Sequence, residues 1–581
     1  MHRTLAALLL VAVTTAYPAL LSGAGDPAGE RLGRLVEEFI PSHMAQRPLD
    51  AVALGWHQYD GGFPSLERSA LVAEQARLAR YEAEFAAIED RRLSPAQHRD
   101  LQAILAAIRT ERWKFEQQKA PWRNPMFYAG AVDVSIYLKR DWAPLADRVR
   151  SLSAVLRHAP AVMRAAKANL EPQLARPFVE TAIEVAEGTA SFLEKDVAAF
   201  ASRVTDPAVL SEFKSANGAA IAVHRQFASW LRAERLPQAH GRFATGAGAF
   251  RAMLRAERID LSPDQVLSVG LKEMKAEQAR MREAARVIDP ALTPAQVYER
   301  ISQEHATAAD LIPRARQTLE KARQFVVDHA LLTPATEVRA QVEETLPPFR
   351  STSTASMDTP GPFETRATTA YYYVTPVEPD WTPKQAEEWL RSLNDYTLEV
   401  VNIHEAYPGH YFQGARVNVT PLGVPAKVFS SYPFVEGWAH YCEQMMLEEG
   451  YGAGDPVRAA KYRVAQSSEA LLRICRLCVA VKMHCHGMTV DQATQFIMEN
   501  CFYEEKAARP EAMRGTFDPG YCFYTLGKLQ LLKLRQDWRL QEGGAFSLKR
   551  FHDELLRHGN PQVRTLRELM LRDPKSWRRI L

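Results

Sequence analysis

The sequence predicts a mainly α-helical fold with a small β-sheet. Between residues 29 and 345, long stretches carry apolar residues at three- and four-residue spacing, the pattern of helices that bury one face. Pro and Gly cluster between these stretches and mark the breaks. One segment, 368–375, is dense in β-branched and aromatic residues, which favour strands.

The composition excludes several classes of protein. Of 581 residues, 46% are hydrophobic and 24% are charged, close to the globular averages of about 45–50% and 25%. A disordered, collagen-like or coiled-coil chain is therefore excluded. The net charge of only +3 gives no support for binding to nucleic acid or to a membrane through a polybasic surface.

Residues 1–24 have the order of a secretory signal peptide. His2 and Arg3 precede an apolar run from 5 to 13, and small residues follow through Ala24. The run is shorter than the about 20 apolar residues of a transmembrane helix, so we expect no stable membrane insertion once it is removed. The alternative is a first helix of the mature fold. We expect an exported protein, periplasmic or extracellular, of undetermined oligomeric state.

After the signal peptide we expect an N-terminal helical region, 25–345, and a C-terminal catalytic region, 346–581. The first region is interpreted as scaffold, and its charges as solvated helix faces. Its clearest helical stretches are 71–88, 101–115, 145–168, 178–200, 219–235, 263–287 and 308–329. In the second region, breakers near 346 and 360 precede the strand at 368–375, and a helix is predicted over 384–400.

The segment His404-Glu405-Ala406-Tyr407-Pro408-Gly409-His410 carries the clearest chemistry. A hydrolytic zinc site needs neutral imidazole ligands, an open position for water and a carboxylate that takes the proton of the water. Two His six residues apart lie about 120° apart on an unbroken helix, too far to share a metal. Pro408 and Gly409 predict the necessary break, because proline cannot donate the helical hydrogen bond and glycine tolerates unusual dihedrals.

A third ligand must come from elsewhere in the chain. Glu436, His440 and Glu443 share one face of a predicted helix, at spacings of four and seven residues. An apolar setting, with Val435 and Trp438 beside Glu436, suggests burial, where an unpaired carboxylate is costly. Spacing alone does not choose among the three.

The sequence resembles the DUF885 family, large helical and often exported proteins grouped with zincin-type (gluzincin) metallopeptidases. The resemblance covers nearly the whole mature chain and is carried by HEAYPGH at 404–410, VEGWAHYCE at 435–443, KMHCHGMTVDQA at 482–493 and PGYCFYTLGKLQ at 519–530. It implies a zincin-like fold with one Zn²⁺ per chain, held by His404, His410 and Glu436. It also implies that Glu405 is the general base. Family members often have Leu in place of His440, which argues against His440 as a ligand.

The same resemblance points to further site residues. Tyr524 matches a C-terminal Tyr of the family and suits the donation of a hydrogen bond to a developing oxyanion, with Tyr521 as the competing assignment. His484 is a second candidate for that role, although the Asp and Gly that usually precede it are replaced by Ala480 and Lys482.

Two further residues, Arg514 and Tyr372, are expected to contact substrate. Arg514 suits a substrate carboxylate, unless it forms a structural ion pair. The strand 368–375, with Tyr372, is expected to pair with an extended peptide. We expect the small sheet beside the active-site cleft, and the cleft between the two regions.

A rival metal site would use Cys475, Cys478, His484, Cys485 and His486. The run 471–483 is apolar and helical, where Cys is more often a core residue, and no turn residues separate the would-be ligands.

The predicted function is an exported zinc metallopeptidase that cleaves peptide bonds with a metal-activated water. The alternatives are a zinc hydrolase of a non-peptide amide or ester, and a non-catalytic binding protein stabilised by a metal.

Overall fold

The computed structural model describes residues 26–346, residue 350 and residues 353–581. The predicted signal peptide lies outside these residues. The described chain is mainly helical with a three-stranded sheet, which confirms the predicted fold at that level. Within the same residues, no helix combines the length and apolar character needed to cross a membrane.

The helices before the sheet form two groups. The first group is α1 (Pro27–Ala45), α2 (Pro48–Ala53), α3 (Arg68–Ala86), α4 (Pro95–Glu116), α5 (Ala120–Arg123), α6 (Met126–Ala129), α7 (Ser135–Lys139), α8 (Leu145–Leu156), α9 (Ala159–Asn169), α10 (Arg176–Phe192), α11 (Ala198–Ala201) and α12 (Pro207–Trp230). The second is α13 (Ala247–Ala256), α14 (Pro263–Ile288), α15 (Pro294–Ser302) and α16 (Leu311–Asp328).

The helices after the sheet carry the segments singled out above. They are α17 (Pro383–Ser392), α18 (Asp395–Glu405), α19 (His410–Val419), α20 (Val424–Val428), α21 (Tyr432–Glu448), α22 (Pro456–Cys485), α23 (Val490–Cys501), α24 (Glu505–Phe517), α25 (Phe523–Glu542), α26 (Leu548–Leu556), α27 (Val563–Met570) and α28 (Pro574–Trp577).

Many helices begin at a signal that is visible in the sequence. Ser94, Ser262, Thr293, Thr382 and Thr489 each accept a hydrogen bond from the backbone N–H of a Gln three residues later, whose side chain bonds back to the cap. This reciprocal arrangement satisfies two of the N–H groups that a helix start leaves unpaired.

The sheet has the order β1-β3-β2, with β1 (Gln341–Glu344) parallel and β2 (Ala355–Asp358) antiparallel to β3 (Tyr371–Val374). The predicted strand 368–375 is therefore the central strand. Both of its edges are hydrogen-bonded, so the expectation that it pairs with a substrate is wrong.

The predicted helix over 384–400 is two helices, α17 and α18. They are separated at Asn394, whose side-chain oxygen accepts hydrogen bonds from the N–H groups of Tyr396 and Thr397. A strong N-cap inside the predicted helix starts a new one.

The apolar cores do not follow the expected boundary at 345/346. The largest core joins α13–α16 to the sheet and to the helices after it. A second core lies mostly within 126–231, and a third joins α1, α3 and α4. The boundary marks a change from helices to strands, whereas α13–α16 pack with the C-terminal region.

Candidate metal centre and active site

The helix is interrupted between His404 and His410, as predicted. Helix α18 ends at Glu405 and α19 begins at His410, with a cis peptide bond between Tyr407 and Pro408. The two imidazole rings lie 4.9 Å apart between centroids, with their planes at 89°. The interrupted helix thus brings together two side chains that an unbroken helix would hold apart.

Gly409 makes this break possible by its lack of a side chain. Its N–H donates to the carbonyl of Ile403 at 3.0 Å. A Cβ at this position would lie 1.8 Å from the carbonyl oxygen of His404. The close approach of two backbone segments is what requires glycine here.

Glu436, in α21, completes a group with the two histidines. Its Oε2 lies 3.6 Å from Nε2 of His404 and 3.5 Å from Nε2 of His410. Among the described residues, these three form the only group of His, Cys, Asp or Glu side chains close enough together to hold a metal ion. The rival set around Cys475 and Cys478 forms no such group.

The donor set and its spacing fit a zinc ion. Two imidazole nitrogens and one carboxylate oxygen are ligands that zinc accepts, and tetrahedral ligands at about 2.0–2.1 Å from zinc lie about 3.4 Å from each other. Burial alone would raise the pKa of Glu436, but the imidazoles of His410 and His404 outweigh it and hold the pKa well below its usual range.

Glu443 lies behind His404, on the side away from the other two group members. Its Oε1 is 2.7 Å from Nδ1 of His404, and its Oε2 is 3.2 Å from Nδ1 of His440. Arg473 approaches both Glu443 and His404 at 3.5 Å. The three candidates that spacing left open are thus separated: Glu436 faces the two histidines, Glu443 orients one of them, and His440 supports Glu443.

Glu405, the expected base, is half-buried at the end of α18. Nearby, Tyr372 is fully buried, and its hydroxyl is hydrogen-bonded to the side-chain amide of Asn402 at 2.7 Å. Burial raises the pKa of Tyr372 well above its usual range, and the charge of Glu405 adds to this effect. Tyr372 therefore supports the floor of the site and is not available to contact substrate, contrary to expectation.

His484 does not reach the metal group. Its Nδ1 accepts from the backbone N–H of Thr245 at 3.2 Å, and its Nε2 donates to the carbonyl of Gly515 at 2.8 Å. Both ring nitrogens are therefore used in joining the loop before α13 to the last turn of α24. His484 has no free N–H to donate to an oxyanion, contrary to expectation.

The two candidate tyrosines differ in exposure. Tyr521 is fully buried, and its hydroxyl has no hydrogen-bond partner among the described residues. Tyr524 is half-buried, and its ring packs edge-on against Tyr432, one helical turn before Glu436. Only Tyr524 has a position from which its hydroxyl could meet a ligand.

A cavity of about 830 Å³ lies between the early helices and the C-terminal region. Its lining includes Gly414, one turn after His410, and Tyr432, one turn before Glu436, but no member of the metal group itself. The early helices contribute residues from α1, α4 and α13, with Arg47 and Glu111 among the polar ones. The edge strand β2 lies against α18 and α19. A cleft between the two regions is therefore present, and its lining comes within one helical turn of the metal group.

The fold and the site together define a class: mainly helical proteins that carry a His-His-Glu group at an interrupted helix. The chain belongs to the DUF885 family, described as bacterial proteins of unknown function, whose model matches residues 48–570. No curated protein matches the sequence.

Two solved structures resemble the whole chain. One is a "putative lipoprotein of unknown function" from Shewanella oneidensis, 25% identical, with a TM-score of 0.77 over 93% of this chain and 99% of that one. The other is described as a "putative lipoprotein" from Colwellia psychrerythraea and is 17% identical, with a TM-score of 0.75 over 94% of this chain and 98% of that one. The second likeness shows the shared fold alone.

Proposed function

We propose that this protein is an exported zinc-dependent peptidase with a zincin-like catalytic region and one Zn²⁺ per chain. The observation that carries the proposal is the group of His404, His410 and Glu436, with Glu405 directly after the first histidine. Export rests on the predicted signal peptide and on the lipoprotein description of the structural neighbour from Shewanella oneidensis.

Zinc, when bound, would acidify water and polarise the substrate carbonyl. Glu405 would take the proton of the attacking water and return it to the leaving amine. Tyr524 would donate a hydrogen bond to the oxygen that gains negative charge. Glu443 would fix the ring of His404, since a metal-binding imidazole is oriented by the partner of its other nitrogen.

The cavity and the edge of β2 suit an extended peptide. A pocket of about 300–1,000 Å³ is usual for a small ligand, and a volume of about 830 Å³ admits a short peptide. Because β3 has no free edge, the strand available for pairing with a substrate is β2, which borders the two histidine helices.

The test compares the parent protein with Glu405→Gln and Glu436→Gln. Elemental analysis should find about one zinc per chain in the parent and in Glu405→Gln, and a large loss in Glu436→Gln, because only the last change weakens a ligand. Cleavage of a mixed peptide library should fall about 10²-fold or more in Glu405→Gln.

Three outcomes distinguish the proposal from its alternatives. Full activity in Glu405→Gln would contradict the assigned base. Cleavage of amide or ester probes but of no peptide would favour a non-peptide hydrolase. A zinc-loaded parent that cleaves none of them would favour a metal-stabilised binding protein.

A further inference from the structure

Three guanidinium groups surround the ring of Tyr524. Arg473, Arg476 and Arg514 lie 5.9, 5.2 and 6.0 Å from its centroid. Arg473 also lies within 3.5 Å of Nδ1 of His404. The cationic cluster is therefore continuous with the proposed metal site.

Two of these cations are held by the protein itself. Arg476 donates to both oxygens of Glu511 at 2.8 Å, and Arg473 donates to Glu469 at 2.8 Å. Their side chains are only 12% and 10% exposed. Both side chains are therefore held in place by acidic partners within the protein.

Arg514 is different, because one of its two terminal nitrogens is uncommitted although the other pairs with Asp518. Its Nε and Nη2 share a single oxygen of Asp518, at 3.0 and 2.9 Å, and Nη2 lies 3.4 Å from the hydroxyl of Tyr432. Its Nη1 has no hydrogen-bond partner within the described part of the chain, and the side chain is 33% exposed. Tyr432 and Asp518 both line the large cavity.

We propose that Arg514 binds the terminal carboxylate of a peptide substrate, which makes the protein a carboxy-terminal exopeptidase. This inference rests on the proposed function. A guanidinium fork matches a carboxylate in plane and spacing. The acidic groups Glu405 and Glu436 would repel a substrate carboxylate that lacked such a partner.

Tyr432 connects Arg514 to the proposed metal site. Its hydroxyl lies 3.4 Å from Nη2 of Arg514, and its backbone lies one helical turn before Glu436 on α21. Every linear peptide carries a terminal carboxylate, whereas an acidic side chain is present only in some peptides. We therefore assign the terminus, and the measurement below compares it with acidic side chains.

The experiment measures binding to a variant that should not turn over. Zinc-loaded Glu405→Gln is incubated with an N-acetylated tetrapeptide library in free-acid and C-amidated forms, and retained peptides are counted by mass spectrometry. We expect the acid to be retained about 10- to 100-fold over the amide, the range for a charged hydrogen bond. Adding Arg514→Gln should bring the ratio to about one.

The matched control is Arg509→Gln in the same background. Arg509 lies on α24 with Arg514, is 51% exposed and pairs with Asp491. Its loss should leave the ratio unchanged. Zinc content and melting temperature show whether each variant is folded.

Equal retention of acid and amide, or none, would overturn the inference. If retention depends on an internal Asp or Glu and not on the form of the terminus, Arg514 binds a side-chain carboxylate. That result would also overturn the inference. If the acid is preferred but the zinc-loaded parent cleaves no peptide, the subsite stands and the proposed function fails.

A second inference rests on a separate observation, the contact between Cys475 and Cys501. Their Sγ atoms lie 2.6 Å apart, and both side chains are buried between α22 and α23. This separation is well inside the about 3.5–4.0 Å of carbon contacts, although both thiols are free in the structure and the separation is longer than the about 2.03–2.05 Å of a disulfide bond.

We infer that these two thiols close a disulfide when the chain folds in an oxidising compartment. The thiolate of one Cys attacks a disulfide of the oxidant, and the other Cys displaces the mixed disulfide. The S–S bond of the oxidant is reduced to two thiols, which take the two protons, while the protein gains one S–S bond.

Alkylation of protein exported by a bacterial host, denatured without reductant, tests this. Of six cysteines, four should react in the parent and all six after reduction. Cys501→Ser should expose five, because it frees Cys475, whereas the control Cys485→Ser should expose three. Six reactive thiols in the unreduced parent, or a link mapped to another pair, would overturn the inference.

Discussion

At the residue scale, helix α21 contributes two carboxylates to the candidate site. Glu436 faces the proposed metal, and Glu443 contacts His404 from the other side. Glu436 and Glu443 are seven residues apart, two helical turns, and so share a face. Because His404 lies between them, one imidazole has a carboxylate at each ring nitrogen. Both acids are visible in the sequence. Only the packing of α18 against α21 shows that Glu436 faces the two histidines whereas Glu443 orients His404.

Glu443→Gln should weaken zinc binding without removing it. A Gln side chain keeps the shape but loses the charge that orients His404, and outer-shell changes of this kind cost about 10- to 100-fold in metal affinity. Competition with a chromophoric chelator measures the change. Glu448→Gln, on the same helix but 31% exposed, is the control. An unchanged affinity in a folded Glu443→Gln would contradict the assigned support.

The two tyrosines should respond differently to loss of their hydroxyls. Tyr524→Phe should keep zinc but lower turnover about 10²–10³-fold, as expected when an oxyanion donor is removed. Tyr521→Phe should leave turnover nearly unchanged, since its buried hydroxyl has no partner among the described residues. Steady-state kinetics on a cleaved peptide decide, and the reverse order would exchange the two roles.

At the element scale, local signals in the sequence predicted much of the structure. Pro408 and Gly409 predicted the break between α18 and α19, and apolar spacing predicted α14 and α16 closely. The start of α18 is also encoded, by Asn394, but the apolar pattern runs on across this residue and predicts one continuous helix.

Pairing between distant segments could not be predicted in the same way. The segment 368–375 was correctly predicted as a strand, yet its central place depends on β1 and β2, which carry no comparable β-branched and aromatic signal. Tyr372 was consequently expected at a substrate edge, whereas it is buried. Similarly, Arg473 lies in an apolar helical run, and only packing brings it to His404.

Gly409→Ala should disrupt the junction of α18 and α19. A Cβ there would meet two backbone carbonyl oxygens, at 1.8 Å for His404 and 2.5 Å for Ile403, and backbone cannot yield as a side chain can. We expect a loss of at least about 1–3 kcal/mol in unfolding free energy and much weaker zinc binding. Denaturant unfolding and zinc titration measure both.

The control for this change is Gly188→Ala, inside α10. A Cβ there meets no atom within 4 Å, so the substitution should be neutral or stabilise by up to about 1 kcal/mol. Normal zinc affinity and stability in Gly409→Ala would show that the break does not depend on glycine.

At the scale of the whole molecule, ion pairs connect the early helices to the C-terminal end of the chain. His98 on α4 lies between Asp90, at 2.6 Å, and Glu568 on α27, at 3.0 Å. Arg258, after α13, also binds Glu568, at 2.7 Å. Helices α4 and α13 are thereby linked to α27 near the C-terminal end of the chain.

The link through His98 should make stability depend on pH. Burial disfavours the charged imidazole, but hydrogen bonds to Asp90 and Glu568 outweigh it and raise the pKa of His98 from 6.5 to about 9. Because the folded state holds this proton more tightly, the contribution is fully present below about pH 6.5 and is lost as pH rises to about 9. It amounts to at most about 3 kcal/mol. Urea unfolding of the parent and His98→Gln should therefore differ most near pH 6 and converge above pH 9. A difference that is constant across this range would mean that His98 acts by packing and not by its charge.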